Sequence, residues 1–267
     1  MKIQYMSDLH FEFRENSRYI KHNGFPVTGD ILVLAGDIFY LKDRAAPLGN
    51  FWEWASKNYR QVLIVPGNHE YYNYCDVMER GLQWRWMFKE NVGYYQNQVL
   101  RIDDTDFIMS TLWSHIEPAN EYFVWKGLND FRQTLYKGKL LQTEAYNQMH
   151  DFCLGHIKKS LAESTAKHIV VVTHHLPTLQ IVAPQHDMSP RQNPEYASRM
   201  SHNAARLQAP CPYRTIGRIY HYVHGKPQTG YAVREHPFPK NGPGHCRQKP
   251  LHLLFPVHAE FSLSSNG

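Results

Sequence analysis

The residues best able to do chemistry in this chain stand at the ends of four short apolar runs. Lys2 to Met6 leads into Ser7-Asp8-Leu9-His10, and Ile31 to Ala35 leads into Gly36-Asp37. Val62 to Val65 leads into Gly67-Asn68-His69-Glu70, and the run opened by His168 ends in Thr173-His174-His175. Each run therefore delivers a carboxylate, an imidazole or a carboxamide at its C-terminal end. Asp8 and His10 are two positions apart, so on an extended segment both side chains point the same way and can grip one ion. Gly36 and Gly67 allow tight turns that bring the next side chain close to such an ion. Mixed oxygen and nitrogen donors suit a hard-to-borderline divalent metal such as Mn, Fe, Zn or Co, not a thiolate zinc site.

Taken singly, each signal has a plainer reading. Asp-x-His arises often by chance, Gly-Asp after a strand is a frequent turn, and Asn68-His69 reads equally as turn and surface. His174 and His175 alone read as polar residues closing a strand. The conjunction decides: four successive strand ends of ligand type are improbable as independent turns. His22, His150, His156 and His168 read as surface or structural histidines.

The elements that must carry these residues alternate in type. Lys2 to Met6, Ile31 to Ala35 and Val62 to Val65 are short, rich in β-branched residues and bounded by turn formers, which predicts buried strands. Pro47 to Tyr59 predicts a helix, with Leu48, Phe51, Trp52 and Ala55 on one apolar face. Asn73 to Glu90 is a second helical candidate, and Thr143 to Ala166 a long third one. Val99 to Ile102 and Phe107 to Leu112 flank Asp103-Asp104-Thr105, the pattern of a hairpin. His168 to Thr173 is a further strand. Strands alternating with helices predict an α/β domain, with some antiparallel pairing at the hairpin. In such sheets ligands bind at the C-terminal ends of the strands.

The 267 residues suffice for one large domain, and 42% apolar with 20% charged content is that of an ordinary globular chain. No run is long enough to span a membrane, and the N-terminus lacks a signal-peptide stretch. Four scattered cysteines, Cys75, Cys153, Cys211 and Cys246, predict free thiols in a reducing compartment, the cytoplasm by default. Residues 184–267 hold ten Lys/Arg against four Asp/Glu, a balance of +6; the chain total is +5, which leaves −1 for the first 183. No basic block occurs even there, so nucleic-acid binding is not indicated.

The stretches MSDLHFEF, VLAGDI, VPGNHEYY and VVVTHHLP resemble the metal-binding blocks of calcineurin-like metallophosphoesterases. The resemblance spans roughly residues 1 to 200, and STLWSH at 110–115 and APQH…NPEYAS at 183–198 resemble stretches of its small single-domain members. It implies a sandwich of two mixed β-sheets flanked by helices, with two divalent ions at the strand ends. By that resemblance Asp8 and His10 hold one metal, Asp37 bridges both, and Asn68 and His174 hold the second. His69 does not ligate but protonates the leaving oxygen or stabilises the transition state. The implied reaction is hydrolysis of a phosphodiester or phosphomonoester, by in-line attack of a hydroxide that the two metals activate. The alternative is a scaffold without catalysis, as in a retromer subunit of this fold.

One block is missing. The family carries a Gly-His-x-His motif after the Thr-His-His block, and no such motif occurs here; His221, His224 and His245 lack its spacing. After residue 183 the chain holds eleven of its sixteen prolines and eight of its seventeen histidines, with only Ile219 to Val223 and Leu251 to Phe255 resembling strands. Residues 1–200 are thus expected to form the metallophosphoesterase domain, and 201–267 a divergent segment. That segment has either diverged in place or been translated out of frame after Ser198, the account favoured on sequence alone. Either way the sheets are expected to lack late strands.

Overall fold

A computed structural model describes residues 1–23, 25–43, 51–175, 177, 219–223, 226–227 and 259–262. The strand predictions of the first half hold almost to the residue. β1 (Lys2–Met6) is followed by α1 (Arg14–Asn23), β2 (Ile31–Leu34), α2 (Phe51–Asn58) and β3 (Gln61–Ile64). β1, β2 and β3 pair in parallel. Each is buried on both faces, which is why their sequences read as continuous apolar runs without alternation.

Asn73 to Glu90 is not a helix. Asn73 (φ 61°) and Tyr74 (φ 58°) take left-handed backbone that ends any helical run, and the chain continues as β4 (Cys75–Asp76) and β5 (Trp84–Lys89). In Trp84-Arg85-Trp86-Met87-Phe88-Lys89 the aromatic residues point inward and Arg85, Met87 and Lys89 outward. This two-residue period defeats the helical reading. Trp52 of α2 packs on Phe88, and Trp86 stacks on Tyr94 in the next strand.

That strand, β6 (Val92–Gln96), pairs in parallel with β3 and antiparallel with β5. The predicted hairpin forms as β7 (Gln98–Ile102) and β8 (Thr105–Ser110). Two short helices, α3 (Glu121–Gly127) and α4 (Asp130–Gln133), precede β9 (Thr134–Tyr136) and β10 (Lys139–Leu140). The long helix α5 (Thr143–Glu163) and β11 (His168–Thr173) follow as expected.

Three tail strands are described: β12 (Ile219–Val223), β13 (Lys226–Pro227) and β14 (Ala259–Ser262). β12 pairs antiparallel with β11 and β14 antiparallel with β1, so each main sheet gains a late strand, contrary to the expectation that such strands are lacking. The predicted run Leu251 to Phe255 lies outside the described residues, as do Cys211 and Cys246. Cys75 and Cys153 are free thiols.

The result is the expected pair of mixed sheets, one ordered β14-β1-β2-β3-β6-β5 and one ordered β13-β12-β11-β8-β7. A small third sheet, β10-β9-β4, was not foreseen. Between the main sheets lie Ile3, Tyr5, Ile31, Val33 and Leu63 from one side, and Phe107, Met109, Val170 and Val172 from the other. Leu32, Leu34, Val62 and Ile64 face outward into a second cluster with Trp52 and Ala55 of α2. Ile108, Ile169 and Val171 join that cluster with Met149, Cys153 and Ile157 of α5. Parallel packing of β1, β2 and β3 brings their C-terminal ends to one edge, and β8 and β11, also parallel, end beside them. Among the described residues no helix is long and apolar enough to cross a membrane.

Candidate metal centre

Past that edge the backbone leaves regular structure abruptly. Asp8 (φ 56°), His10 (φ 45°) and Asp37 (φ 57°) all occupy the left-handed region, at a cost of roughly 1–2 kcal/mol for each non-glycine residue. The two loops hold each other in place: the Asp8 amide donates to the Gly36 carbonyl and the His10 amide to the Asp37 carbonyl, both at 2.9 Å. The outcome is a cluster in which one ligand atom each from Asp8, His10 and Asp37 lies within 4.8 Å of the others.

The second cluster lies across Asp37. His174 Nε2 is 3.1 Å from Asn68 Oδ1 and 3.3 Å from Asp37 Oδ1. On the far side of the His174 ring, Nδ1 is 2.9 Å from the carbonyl of Ala35, which only accepts, so Nδ1 carries a hydrogen and Nε2 is the nitrogen turned to the site. Asn68 is oriented by the same logic. Its Nδ2 donates to Asp130 Oδ1 at 2.9 Å and to Tyr72 Oη at 3.1 Å, which turns Oδ1 toward His174. Carboxylate oxygen, amide oxygen and imidazole nitrogen thus converge, and only a proton or a cation between them makes that arrangement favourable.

Two glycines are dictated by this crowding. A Cβ on Gly67 would stand 2.1 Å from Asp37 Oδ1. A Cβ on Gly36 (φ 92°) would stand 2.4 Å from His174 Nδ1. No side chain fits at either place.

Glu70 fixes the frame beneath. It is fully buried and accepts from the amides of Asp37 (2.9 Å), Gly67 (2.7 Å) and Ile38 (2.8 Å), and from Tyr94 Oη (2.9 Å). Burial, reinforced by the charge of Asp37, pushes its carboxyl upward in pKa. Burial also opposes the ionised form of Asp37, but His174, His69 and His10 hold that carboxyl well below the usual range. For His10 burial acts downward, yet Glu12, Asp37 and Asp8 together raise the ring to about 9. The pocket is a sink for positive charge, the property a divalent cation requires.

His69 stands at the mouth. Its ring stacks on Tyr72 at 4.2 Å and meets the edge of His10 at 4.4 Å, and its amide donates to Asp37 Oδ1 at 3.0 Å. His175 turns away: its ring stacks on Trp113 at 5.4 Å, and Nε2 lies 3.4 Å from Tyr146 Oη. The Thr111 carbonyl accepts both the His174 amide (3.2 Å) and the His175 amide (3.0 Å). Of the three tail histidines that lack the Gly-His-x-His spacing, His221 lies on β12 in register with Val170. His224 and His245 lie outside the described residues.

Asp8, His10, Asp37, Asn68, His69 and His174 are therefore gathered at one strand edge. Sequence reasoning assigned no part to Glu12, Glu70, Tyr72 or Asp130. Glu12 and Glu70 were within reach, since each is an acid one or two residues from a ligand-type histidine. Asp130, 62 residues from Asn68, left no local signal.

Comparison with known proteins shows the family and the fold. The calcineurin-like phosphoesterase family matches residues 1–207, and the chain belongs to that family. An uncharacterized protein of Acanthamoeba polyphaga mimivirus is 29% identical over 196 residues, covering 66% of this chain and 68% of its own. Among solved structures, the phosphopantetheinyl hydrolase of Mycobacterium tuberculosis superposes with a TM-score of 0.52 at 16% identity, over 84% of this chain and 86% of that one. That likeness is one of fold. Membership of the family points to metal-dependent hydrolysis of phosphoric esters in general.

Proposed function

We propose that the protein is a metal-dependent phosphoesterase that uses two divalent ions, Mn, Fe, Zn or Co, to hydrolyse a phosphodiester or phosphomonoester. Asp8 and His10 would hold one ion, Asn68 and His174 the other, and Asp37 would bridge the two. The observation that carries this reading is the convergence of Asn68 Oδ1 (3.1 Å) and Asp37 Oδ1 (3.3 Å) on His174 Nε2, with Asn68 braced from behind by Asp130 and His174 by the Ala35 carbonyl. When bound, such a pair of ions orients the phosphate and supplies a nucleophile from water at neutral pH. The chain's own residues do the rest. Asp130 and Ala35 keep Asn68 and His174 turned inward, Glu70 keeps the two loops in register, and His69 serves the leaving oxygen from the mouth.

The rival reading, a scaffold without catalysis, draws on the absent Gly-His-x-His pair. Three strained residues and a set of crowded buried charges speak against it, because they cost stability and give a scaffold nothing. Residues 1–200 would supply the catalytic side chains and 201–267 would form a divergent segment that adds β12, β13 and β14 to the sheets, with a reducing, cytoplasmic setting in keeping with the free thiols. Translating the other frames of the gene tests the alternative origin of that segment: a Gly-His-x-His in another frame after Ser198 would establish a slip, and none would rule it out.

The deciding experiment is Mn²⁺-dependent hydrolysis of bis(p-nitrophenyl) phosphate by the wild type, a metal-stripped sample, Asp37→Ala and His69→Ala. Turnover should need metal, Asp37→Ala should lose both metal and turnover, and His69→Ala should keep metal while losing about 10²–10⁴-fold in rate. Equal metal loss in both variants would sink the division of roles. No turnover in a folded, metal-loaded wild type would favour the scaffold.

A further inference from the structure

Glu12 is the one acid of the pocket that the reading above leaves without a task. The chain turns sharply after His10, with the Phe13 amide donating to the His10 carbonyl at 3.0 Å. This turn folds the Glu12 side chain back under the site, where it is 6% exposed. One carboxylate oxygen, Oε1, lies 2.8 Å from His10 Nδ1 and 3.0 Å from His69 Nδ1. The other, Oε2, is buried without a hydrogen-bond partner among the described residues. A buried carboxylate whose hydrogen-bonding side chains among the described residues are two imidazoles is a poor device for stability, since desolvation of the charge is incompletely offset. Its position needs another explanation.

The geometry points to Glu12 as a single positioning residue that sets the ring orientation and tautomer of both His10 and His69. The inference rests on the reading that His10 holds a metal and His69 serves the leaving group. An ionised carboxylate only accepts, so both Nδ1 atoms must carry hydrogen. For His10 this leaves Nε2, 3.7 Å from Asp37 Oδ2, as the nitrogen that would meet a metal. For His69 it leaves Nε2 as the ring nitrogen that holds or moves a proton, while stacking on Tyr72 fixes the ring plane. The two rings meet edge to face at 4.4 Å, so one acceptor placed between them orients both. Metal retention and leaving-group assistance thereby share one hydrogen-bond acceptor.

The test uses the full chain, with Zn²⁺ as the probe. Calorimetric titration of metal-stripped protein reads the hold on His10. Ring-nitrogen NMR of ¹⁵N-histidine-labelled, Zn²⁺-loaded protein, with the His69 signals assigned by His69→Ala, reads the tautomer of His69. Glu12→Ala should weaken Zn²⁺ binding about 10–100-fold, as loss of a carboxylate behind a ligating histidine does. It should also remove the Nδ1–H form of His69. Glu12→Gln keeps the volume and one acceptor oxygen and should fall between Glu12→Ala and the wild type; if Glu12→Ala does not fold, Glu12→Gln against wild type carries the test. Unchanged affinity, or an unchanged His69 tautomer, would overturn the shared role. Both effects in a protein that hydrolyses no phosphoester would leave this inference standing and remove the phosphoesterase reading. Metal-dependent turnover with Glu12 silent would do the reverse.

Discussion

At the N-terminal ends of the strands, Arg60 ahead of β3 pairs with Asp103 in the β7–β8 turn through two hydrogen bonds of 2.9 and 2.6 Å. Both side chains are about half exposed. This pair joins the first sheet to the second, as His174 and Asp37 do at the opposite end, and it uses the same kinds of charge. Its surroundings make the difference. In water an exposed pair contributes little, and the left-handed backbone of Asp103 (φ 54°) is that of an open hairpin turn. At the C-terminal ends the charges are buried, like faces like, and the backbone of Asp8, His10 and Asp37 is strained. One end carries a fastening that the fold could lose; the other carries an arrangement that only a ligand explains.

The contrast can be broken at the buried end first. Gly67→Ala should have the largest effect, because its Cβ would displace Asp37, and a misplacement near 1 Å can cost about 100-fold in rate. Turnover and metal content measured together would show it; a variant as active as wild type would mean that Asp37 is not held where Gly67 leaves room for it. Asp130→Ala should come next, with about tenfold weaker metal binding, since Asn68 loses the acceptor that orients its amide. A titration with Mn²⁺ measures this, and an unchanged affinity would remove Asp130 from the site's support.

Two smaller effects sharpen the comparison. His156 on α5 is a part-buried imidazole far from any carboxylate cluster; burial lowers its pKa below the ordinary 6.5, opposite to His10 and His69. Its contribution to stability is therefore complete above pH 6.5 and is lost as pH falls through the depressed folded value. Melting curves across that window should fall less for His156→Gln than for wild type, and parallel curves would contradict the assignment. Arg60→Ala should matter least, leaving the melting temperature close to that of the wild type. Its metal affinity should match the wild type; a loss there would show that the two ends are coupled.

Much of the molecule was legible before any coordinates. β1, β2, β3 and β11 are buried runs bounded by turn residues, so composition alone delimits them, and their parallel pairing places their last residues together. The failures have physical causes. Trp84 to Lys89 carries a two-residue alternation inside a stretch that also offers helical spacing, and the decisive breaks are left-handed Asn73 and Tyr74, neither of them glycine. Glu70 sits inside a recognised motif, yet its partners include amides 32 and 33 residues earlier, a relation that exists only once β2 and β3 lie side by side. Asp130 depends in the same way on the placing of α4. Long-range bracing is written in the fold and not in any local pattern.

The contact between His174 Nδ1 and the Ala35 carbonyl spans 139 residues and ties a strand end of one sheet to a strand end of the other. An ion seated between Asp37 and His174 would act there as a clasp, since it binds the folded chain and has no comparable site on the unfolded one. Loading would then register as a thermal shift, rising with free metal as RT ln(1 + [L]/Kd), about 2.7 kcal/mol at a hundred times Kd. The centre proposed for chemistry would thereby also govern how firmly the two halves of the sandwich stay closed, and chelation would loosen the protein before it touched any substrate.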